Sequence, residues 1–281
     1  MTYKTIAVAL DTGAHATQRL DAAVELAERF NAHLRGLYSD FTLDPRFYYQ
    51  AKGEHRYGMT LQELCRERRA RVERQFLRRL ARSKVARDWL ANEMTTGYSL
   101  YEHARCADLT IVGQHDEAQA DASFADRYPE RTIMAAGGPV LVWPRGHASC
   151  PLDGAALIAW DGSREAARAV FDALPLLRHA VGVDIVSIHP EPDGAPTEEG
   201  AALAPDLARS LMRHSVSANV VALRVSGEGS VPSALLSYLQ AERPRVLVMG
   251  AFHHSRLRET FLGGLTRAIL RDADLPVLMS N

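Results

Sequence analysis

Long hydrophobic runs, cysteine pairs and an excess of one charge sign are all missing from this sequence. No apolar run reaches the roughly 18 residues that a membrane-spanning helix requires, and Met1–Ala9 lacks the pattern of a signal peptide. Cys65, Cys106 and Cys150 have neither metal-ligand spacing nor a disulfide pattern. The formal net charge is only −1. We therefore expect a cytoplasmic protein whose partners include neither a membrane nor a nucleic acid.

The sequence does contain one pattern of motifs that occurs twice. The first copy runs from VALDTG, at Val8–Gly13, to DLTIVG, at Asp108–Gly113. The second runs from LIAWDGS, at Leu157–Ser163, to RVLVMG, at Arg245–Gly250. Each copy closes with an apolar segment, GGPVLVWP or DLPVLMSN. Pro139 follows Gly113 by 26 residues, and Pro276 follows Gly250 by the same number. The chain, at 281 residues, has room for two such domains.

Both copies alternate short apolar segments, typical of buried strands, with helical patterns. This alternation predicts an α/β fold of two tandem, doubly wound, five-stranded parallel-sheet domains, at residues 1–146 and 154–281, related by a pseudo-two-fold axis. The predicted strands are Thr5–Leu10, Ala32–Tyr38, Leu109–Gly113, Val140–Trp143, Ala156–Trp160, Gly182–His189, Val246–Gly250 and Val277–Met279. The predicted helices are Thr17–Phe30, Leu61–Ser83, Tyr98–Arg105, Thr132–Ala136, Arg164–Leu177, Val231–Ala241 and Leu265–Arg271.

An insertion near residues 40–90 makes the first copy 13 residues longer than the second. Part of it is aromatic, and part is a helical segment with eight arginines at Leu61–Ser83. One interpretation of the arginines is a surface for nucleic acid or an acidic partner. The other, which we favour, is a solvated helix with a buried apolar face and local pairs to glutamates. In that interpretation the apolar face comprises Leu64, Val72, Phe76 and Leu80, and the glutamates are Glu63, Glu67 and Glu73.

The second copy places polar residues and glycines where its predicted strands end. In a parallel sheet the ligand crevice lies at these carboxyl ends. A carboxylate there accepts hydrogen bonds from a ribose or an adenine amino group, and glycines before a helix let backbone N–H groups approach a phosphate. Glycines of this kind are also typical of simple turns. The carboxylate is Asp161, and the glycines are Gly250, Gly263 and Gly264. Arg256 could supply positive charge, and Thr266 could supply a hydroxyl.

These segments resemble the universal stress protein family. LIAWDGS, RVLVMGAFHHSRLRETFLGGLTRAIL and DLPVLMSN carry the resemblance, and the duplication is similar to that of tandem-domain members. The resemblance implies a fold like that of adenine nucleotide alpha hydrolases and a stress-response role. It also implies ATP or another adenine nucleotide, with Mg²⁺, as the ligand. Pairing of the final strands within the chain, in a monomer or a homodimer, is implied as well.

The nucleotide-binding loop of that family has a glycine, two residues, a glycine, nine residues, and then glycine with serine or threonine. Here Gly250 and Gly263 match the first and third glycines, and Asp161 matches the adenine-side aspartate. His253 stands in place of the second glycine and brings a side chain where the backbone approaches phosphate. Gly264 lacks the hydroxyl that the family pattern has. We therefore expect weakened nucleotide binding in the second copy.

The matching loop of the first copy is acidic, with Asp116, Glu117, Asp121 and Asp126. Like charges at about 4 Å repel by on the order of 1–4 kcal/mol, so a triphosphate without metal is disfavoured and the first site is degenerate. The acids lack EF-hand spacing. His115, His253 and His254 likewise lack the spacing of metal ligands. We expect no metal site.

Three functions are compatible with these patterns. The first is a binding or signalling module that acts through nucleotide in the second copy. The second is a slow ATPase, although Asp161 and Glu259 are the nearest acids and no hydrolase triad is present, so we predict no catalytic residue. The third is a non-nucleotide interaction module that uses the aromatic insertion, with Phe41, Phe47, Tyr48, Tyr49 and Tyr57.

Overall fold

A computed structural model of the chain describes residues 2–39, 55–92, 100–114, 128–146, 153–190, 199–225, 230–251 and 264–281. Strands and helices alternate along these ranges, as predicted. The strands are β1 Thr5–Leu10, β2 His33–Ser39, β3 Arg87–Asn92, β4 Leu109–Gly113, β5 Val140–Trp143, β6 Ala156–Ala159, β7 Val183–Pro190, β8 Ala218–Val225, β9 Val246–Gly250 and β10 Val277–Ser280. The helices are α1 Ala16–Phe30, α2 His55–Leu80, α3 Leu100–Ala104, α4 Tyr128–Ala136, α5 Arg164–Asp172, α6 Leu174–Leu177, α7 Glu199–Arg213, α8 Val231–Glu242 and α9 Gly264–Asp272.

The chain divides into two compact units that differ slightly from the two sequence copies. The N-terminal unit comprises residues 3–136 and 145–150, and the C-terminal unit comprises residues 137–144 and 151–281 together with the first two residues. Strand β5, from the first copy, therefore belongs to the C-terminal unit. The domain bounds at 146 and 154 stay a prediction.

Strand β5 lies in the C-terminal unit because it pairs antiparallel with β10. Val140 is opposite Met279, and Val142 is opposite Val277. All residues of both strands are buried. Covering apolar edge strands in this way removes a template for unwanted pairing. The pairing of the two final strands, which the family resemblance implied, is confirmed.

Each unit contains a parallel sheet with the same internal order. The N-terminal unit has the order β3-β2-β1-β4, and all three pairings are parallel. The C-terminal unit has the order β5-β10-β9-β6-β7-β8, which is parallel except at β5. In both copies the first strand lies between the second and the fourth. The α/β prediction is confirmed, and the pseudo-two-fold axis stays a prediction.

Two predicted helices differ from the structure more than the others do. The pattern at residues 164–177 gives two helices, because α5 ends at Asp172 and α6 begins at Leu174. Pro175 lacks the N–H that a continuous helix would need at that point. Helix α2 begins at His55, six residues before the predicted start. None of the helices in the described ranges is long and apolar enough to cross a membrane.

The apolar face of α2 is buried, as predicted. Val72 is 3% exposed, and Phe76 and Leu80 are fully buried. The side chain of Leu64 lies outside the described residues. Gly36 on β2 lets the aromatic side chains pack closely, since a Cβ there would lie 2.6 Å from Trp89. Helix α2 is therefore a packed part of the N-terminal unit.

Arg168 on α5 ties the end of β10 to the segment that precedes β5. Its Nη1 donates to the Asn281 carbonyl oxygen at 2.7 Å, and its Nη2 donates to the carbonyl oxygen of Gly137. The Ser280 hydroxyl donates to Asp172 Oδ2 at 2.8 Å. Burial raises the pKa of Asp172, although the Ser280 hydroxyl and the Arg168 charge act to lower it. These contacts join α5 to β10 inside the C-terminal unit.

Candidate functional site

A tight turn holds Asp161 at the carboxyl end of β6. Its Oδ1 accepts a hydrogen bond from the Ser163 backbone N–H at 2.9 Å. Gly162, between them, has a φ of 77°, a left-handed conformation that favours glycine. The Ser163 side chain caps α5 by accepting from the Ala166 N–H at 3.0 Å. The turn is thus fixed by its own hydrogen bonds, and Asp161 remains exposed to solvent.

Gly250 ends the neighbouring strand β9. The parallel register pairs Ala159 with Met249, so Asp161 and Gly250 follow adjacent strands at the same edge of the sheet. A Cβ on Gly250 would lie 2.5 Å from the Ala166 backbone nitrogen and 2.7 Å from the Glu165 carbonyl carbon. Glycine is therefore required here by the close approach of α5. The structure brings together these two of the predicted site residues.

The same contact predicts a stability difference between two glycines. Gly250→Ala should lower the free energy of unfolding by about 1–3 kcal/mol, because the neighbouring backbone of α5 has little room to shift. Gly264→Ala is the matched control, since a Cβ on Gly264 would meet nothing within 4 Å. Urea unfolding of both variants measures the difference. Equal losses would show that the tight contact at Gly250 does not govern its stability effect.

The remaining predicted site residues are placed only in part. Gly264 begins α9 and is exposed. Thr266 is 4% exposed, buried with the face of α9 that carries Ile269 and Leu270. Their contact with a ligand stays a prediction. His253, Arg256 and Gly263, and also His254 and Glu259, lie outside the described residues. Within the ranges that are described, no group of three or more His, Cys, Asp or Glu side chains could hold a metal ion.

The first copy contains the same turn at the end of β1. Asp11 Oδ1 accepts from the Gly13 N–H at 2.7 Å, as Asp161 does from Ser163. Strand β4, which pairs with β1, ends at Gly113. The predicted correspondence of Asp11 with Asp161, and of Gly113 with Gly250, is therefore confirmed by strand position. The acidic residues Asp116, Glu117, Asp121 and Asp126 lie outside the described residues.

A buried arginine distinguishes the two turns. The Arg19 side chain, on α1, is only 5% exposed, and its Nη2 lies 2.5 Å from Asp11 Oδ2. Its Nε donates to the Ala9 carbonyl oxygen at 2.8 Å. A Cβ on Gly113 would lie 2.1 Å from Arg19 Nη1, so the guanidinium fills the space beside Gly113. The residue 150 positions later in the second copy is Ala169, which is fully buried.

Arg19 changes the electrostatics of the N-terminal site. Burial acts to raise the pKa of Asp11, but the Arg19 charge and the Gly13 N–H outweigh it and hold that pKa below its ordinary value. Asp11 is therefore an internally paired carboxylate. Asp161, by contrast, has no cationic partner among the residues described. The sequence analysis did not identify Arg19 as a site residue. Its alignment with Ala169, on an apolar helix face, could have indicated that the arginine is buried.

Comparison with known proteins identifies the pattern of the second copy. Residues 155–281 match the sequence model of the universal stress protein family. This part of the chain belongs to that family. No curated protein sequence matches the chain significantly.

Solved structures extend the family fold to the whole chain. A universal stress protein from Archaeoglobus fulgidus has a TM-score of 0.67 at 14% identity, covering 99% of this chain and 96% of that one. A provisionally named universal stress protein from Pseudomonas aeruginosa has a TM-score of 0.57 at 14% identity, covering 99% and 93%. The chain thus has the fold of two-domain universal stress proteins, and its two copies form the tandem arrangement.

Proposed function

We propose that this protein is an adenine-nucleotide-binding module whose site lies in the C-terminal unit. The observation that carries the proposal is the difference between the two equivalent aspartates. Asp11 is neutralised by Arg19 at 2.5 Å, whereas Asp161 is exposed and engages only the Ser163 N–H in the described part of the chain. Asp161 Oδ2 therefore remains available to a ribose hydroxyl or an adenine amino group.

The phosphates would lie toward the loop between β9 and α9. Gly250 ends β9 and Gly264 begins α9, so this loop starts at the same sheet edge that carries Asp161. A helix N-terminus with an exposed glycine favours an anion through its free N–H groups and its dipole. Mg²⁺ would accompany a triphosphate and reduce its charge. The module would act by signalling whether this one site is occupied by nucleotide.

The two units are expected to bind nucleotide unequally. In the N-terminal unit the Arg19 guanidinium already occupies the space beside Gly113 and satisfies Asp11. In the C-terminal unit the equivalent residue is the buried Ala169, whose side chain has no charge that could pair with Asp161. One nucleotide per chain is therefore the expected stoichiometry.

Titration with ATP, ADP and AMP, with and without Mg²⁺, tests the proposal. A ligand that binds only the folded protein raises its melting temperature, and at about 100 times Kd it contributes roughly 2.7 kcal/mol. We expect a rise with at least one of these nucleotides and a calorimetric stoichiometry of one. Two equal sites per chain, or no shift at millimolar concentration, would contradict the proposal.

The two other functions are distinguished by this titration together with an assay of phosphate release. Release of phosphate from bound ATP would favour the slow ATPase. The aromatic insertion at Phe41, Phe47, Tyr48 and Tyr49 lies outside the described residues, and the side chain of Tyr57 is likewise not described. If the titration shows no nucleotide binding, the interaction module becomes the favoured function.

A further inference from the structure

Helix α2 presents a line of arginines on the side away from its buried face. At about 100° per residue, Arg71, Arg74 and Arg78 fall within an arc of roughly 60°, and the arc of Val72, Phe76 and Leu80 lies opposite. All three arginines are exposed, and so is Arg82 in the turn that follows the helix. We call these four residues, Arg71, Arg74, Arg78 and Arg82, the arginine stripe.

The arginine stripe has no ion pairs among the residues that the structure describes. The glutamates that were expected to neutralise the helix locally, Glu63, Glu67 and Glu73, form no ion pair with it there. Other arginines of this region do have structural contacts. Arg79 pairs with Asp21 on α1, and Arg87 Nη1 donates to the Leu80 carbonyl oxygen at 3.1 Å. Within the described ranges, the cations of the stripe therefore have no anionic partner, while Arg79 and Arg87 make structural contacts.

The helix that carries the stripe is firmly held. Ser83 Oγ donates to Glu28 Oε1 at 2.7 Å, and Gln75 on α2 donates to Thr17 on α1. Together with the buried apolar face, these contacts fix the direction in which the stripe points. Arg71 and Arg78 are separated by about 10 Å along the helix axis, at 1.5 Å per residue. The helix therefore fixes where the arginines are attached, and only their side chains have to be ordered when they bind a chain of regularly spaced anions.

From this row we infer that α2 binds the phosphate backbone of a nucleic acid, independently of the nucleotide site. Arginine presents a planar fork of donors that matches phosphate oxygens, and backbone binding depends mainly on such charge neutralisation. This inference departs from the expectation based on net charge alone. The net charge of −1 averages over the chain, whereas the stripe concentrates positive charge on one helix face.

The composition of the stripe favours nucleic acid over two other anionic partners. A protein interface takes most of its affinity from buried aromatic and apolar anchors, and the arc between Arg71 and Arg78 contains none. A helix that lies on a membrane needs an apolar face free to insert, but the apolar face of α2 is buried in its own unit. A phosphate backbone needs neither feature.

Fluorescence anisotropy of the full chain tests the inference. The probes are a fluorescein-labelled mixed-sequence DNA duplex and an RNA single strand, each of about 20 nucleotides per strand, which exceeds the span of four phosphate contacts. With four contacts, the slope of log K against log salt should be about −3.6 for the duplex and about −2.8 for the single strand. The two probes show which form of backbone the stripe prefers.

The triple variant Arg71→Gln, Arg74→Gln, Arg78→Gln should remove most of this binding. Glutamine is a good helix former, so the fold is expected to persist. The affinity at about 50 mM salt should fall at least roughly 10-fold, and the salt slope should shrink to about −1. The matched control replaces three exposed arginines of the C-terminal unit, Arg213, Arg224 and Arg243, by glutamine. It changes the net charge equally and should retain nearly full affinity.

Three results would overturn the inference. The first is no binding of either probe at about 50 mM salt, where phosphate contacts are strong. The second is an equal loss of affinity in the control variant, which would show that only net charge matters. The third is competition in which polyglutamate or anionic vesicles displace the probes at lower charge concentration than unlabelled nucleic acid does. None of these results bears on nucleotide binding at Asp161, so the two proposals fail separately.

Discussion

Replacing Asp161 by Asn is expected to weaken adenine-nucleotide binding by about 10- to 100-fold, since a hydrogen bond to a charged group contributes roughly 1.5–3 kcal/mol. The amide oxygen of Asn can still accept the Ser163 N–H, which Asp161 Oδ1 accepts at 2.9 Å, so the turn is retained. What is lost is the second, negatively charged oxygen. Isothermal titration calorimetry of the wild type and the variant with the tightest nucleotide measures the effect.

Asp11→Asn is the matched control, because Asp11 occupies the equivalent turn in the other unit. Asp11 is already paired with Arg19, so this substitution should leave nucleotide affinity unchanged within about twofold. A large loss in Asp11→Asn and none in Asp161→Asn would move the site to the N-terminal unit. Equal binding by all three proteins would show that neither aspartate contacts the ligand.

The strands that the sequence predicts are those buried on both faces. Strands such as β4 and β9 read as continuous apolar runs because helices cover both sides of a parallel sheet. The sequence prediction missed β3 and β8, the outer strands of the two sheets. Several residues of β8 are exposed, and β3 begins with Arg87 and Asp88, so neither has the pattern of a buried strand. Edge strands escape prediction for this physical reason.

The sequence predicts only that part of the candidate site whose position follows from where the parallel strands end. Asp161 and Gly250 come together because parallel strands end at one sheet edge, and the sequence contains that information. The contact of α5 with Gly250 could not be predicted, since it depends on how closely a helix packs. Arg19 was missed because an arginine on a helix is ordinarily exposed. Its pairing with Asp11 becomes evident only from three-dimensional structure.

Replacing Arg19 by Met is expected to lower the free energy of unfolding by about 2 kcal/mol at neutral pH. Breaking a buried ion pair costs roughly 3–5 kcal/mol, but the Asp11 side chain is 50% exposed and solvent screens part of the interaction. The variant also leaves the Ala9 carbonyl oxygen without the donor that lies at 2.8 Å. Methionine approximates the volume of the aliphatic stem, so a cavity contributes little to the loss.

The pH dependence identifies the ion pair as the cause of this loss. The pKa of Asp11 is held below its ordinary value of 3.8 in the folded protein, so the pair contributes fully above that value. As the pH falls through the lowered pKa, Asp11 becomes protonated and the contribution disappears. The stability difference between wild type and Arg19→Met, measured by urea unfolding from about pH 7 to about pH 3, should therefore shrink at the acid end. The double variant with Asp11→Asn should show the same pH dependence as Asp11→Asn alone, because the titrating carboxylate is absent from both. A difference that stays constant or grows with acid would mean that Arg19 stabilises the unit through packing rather than through its charge.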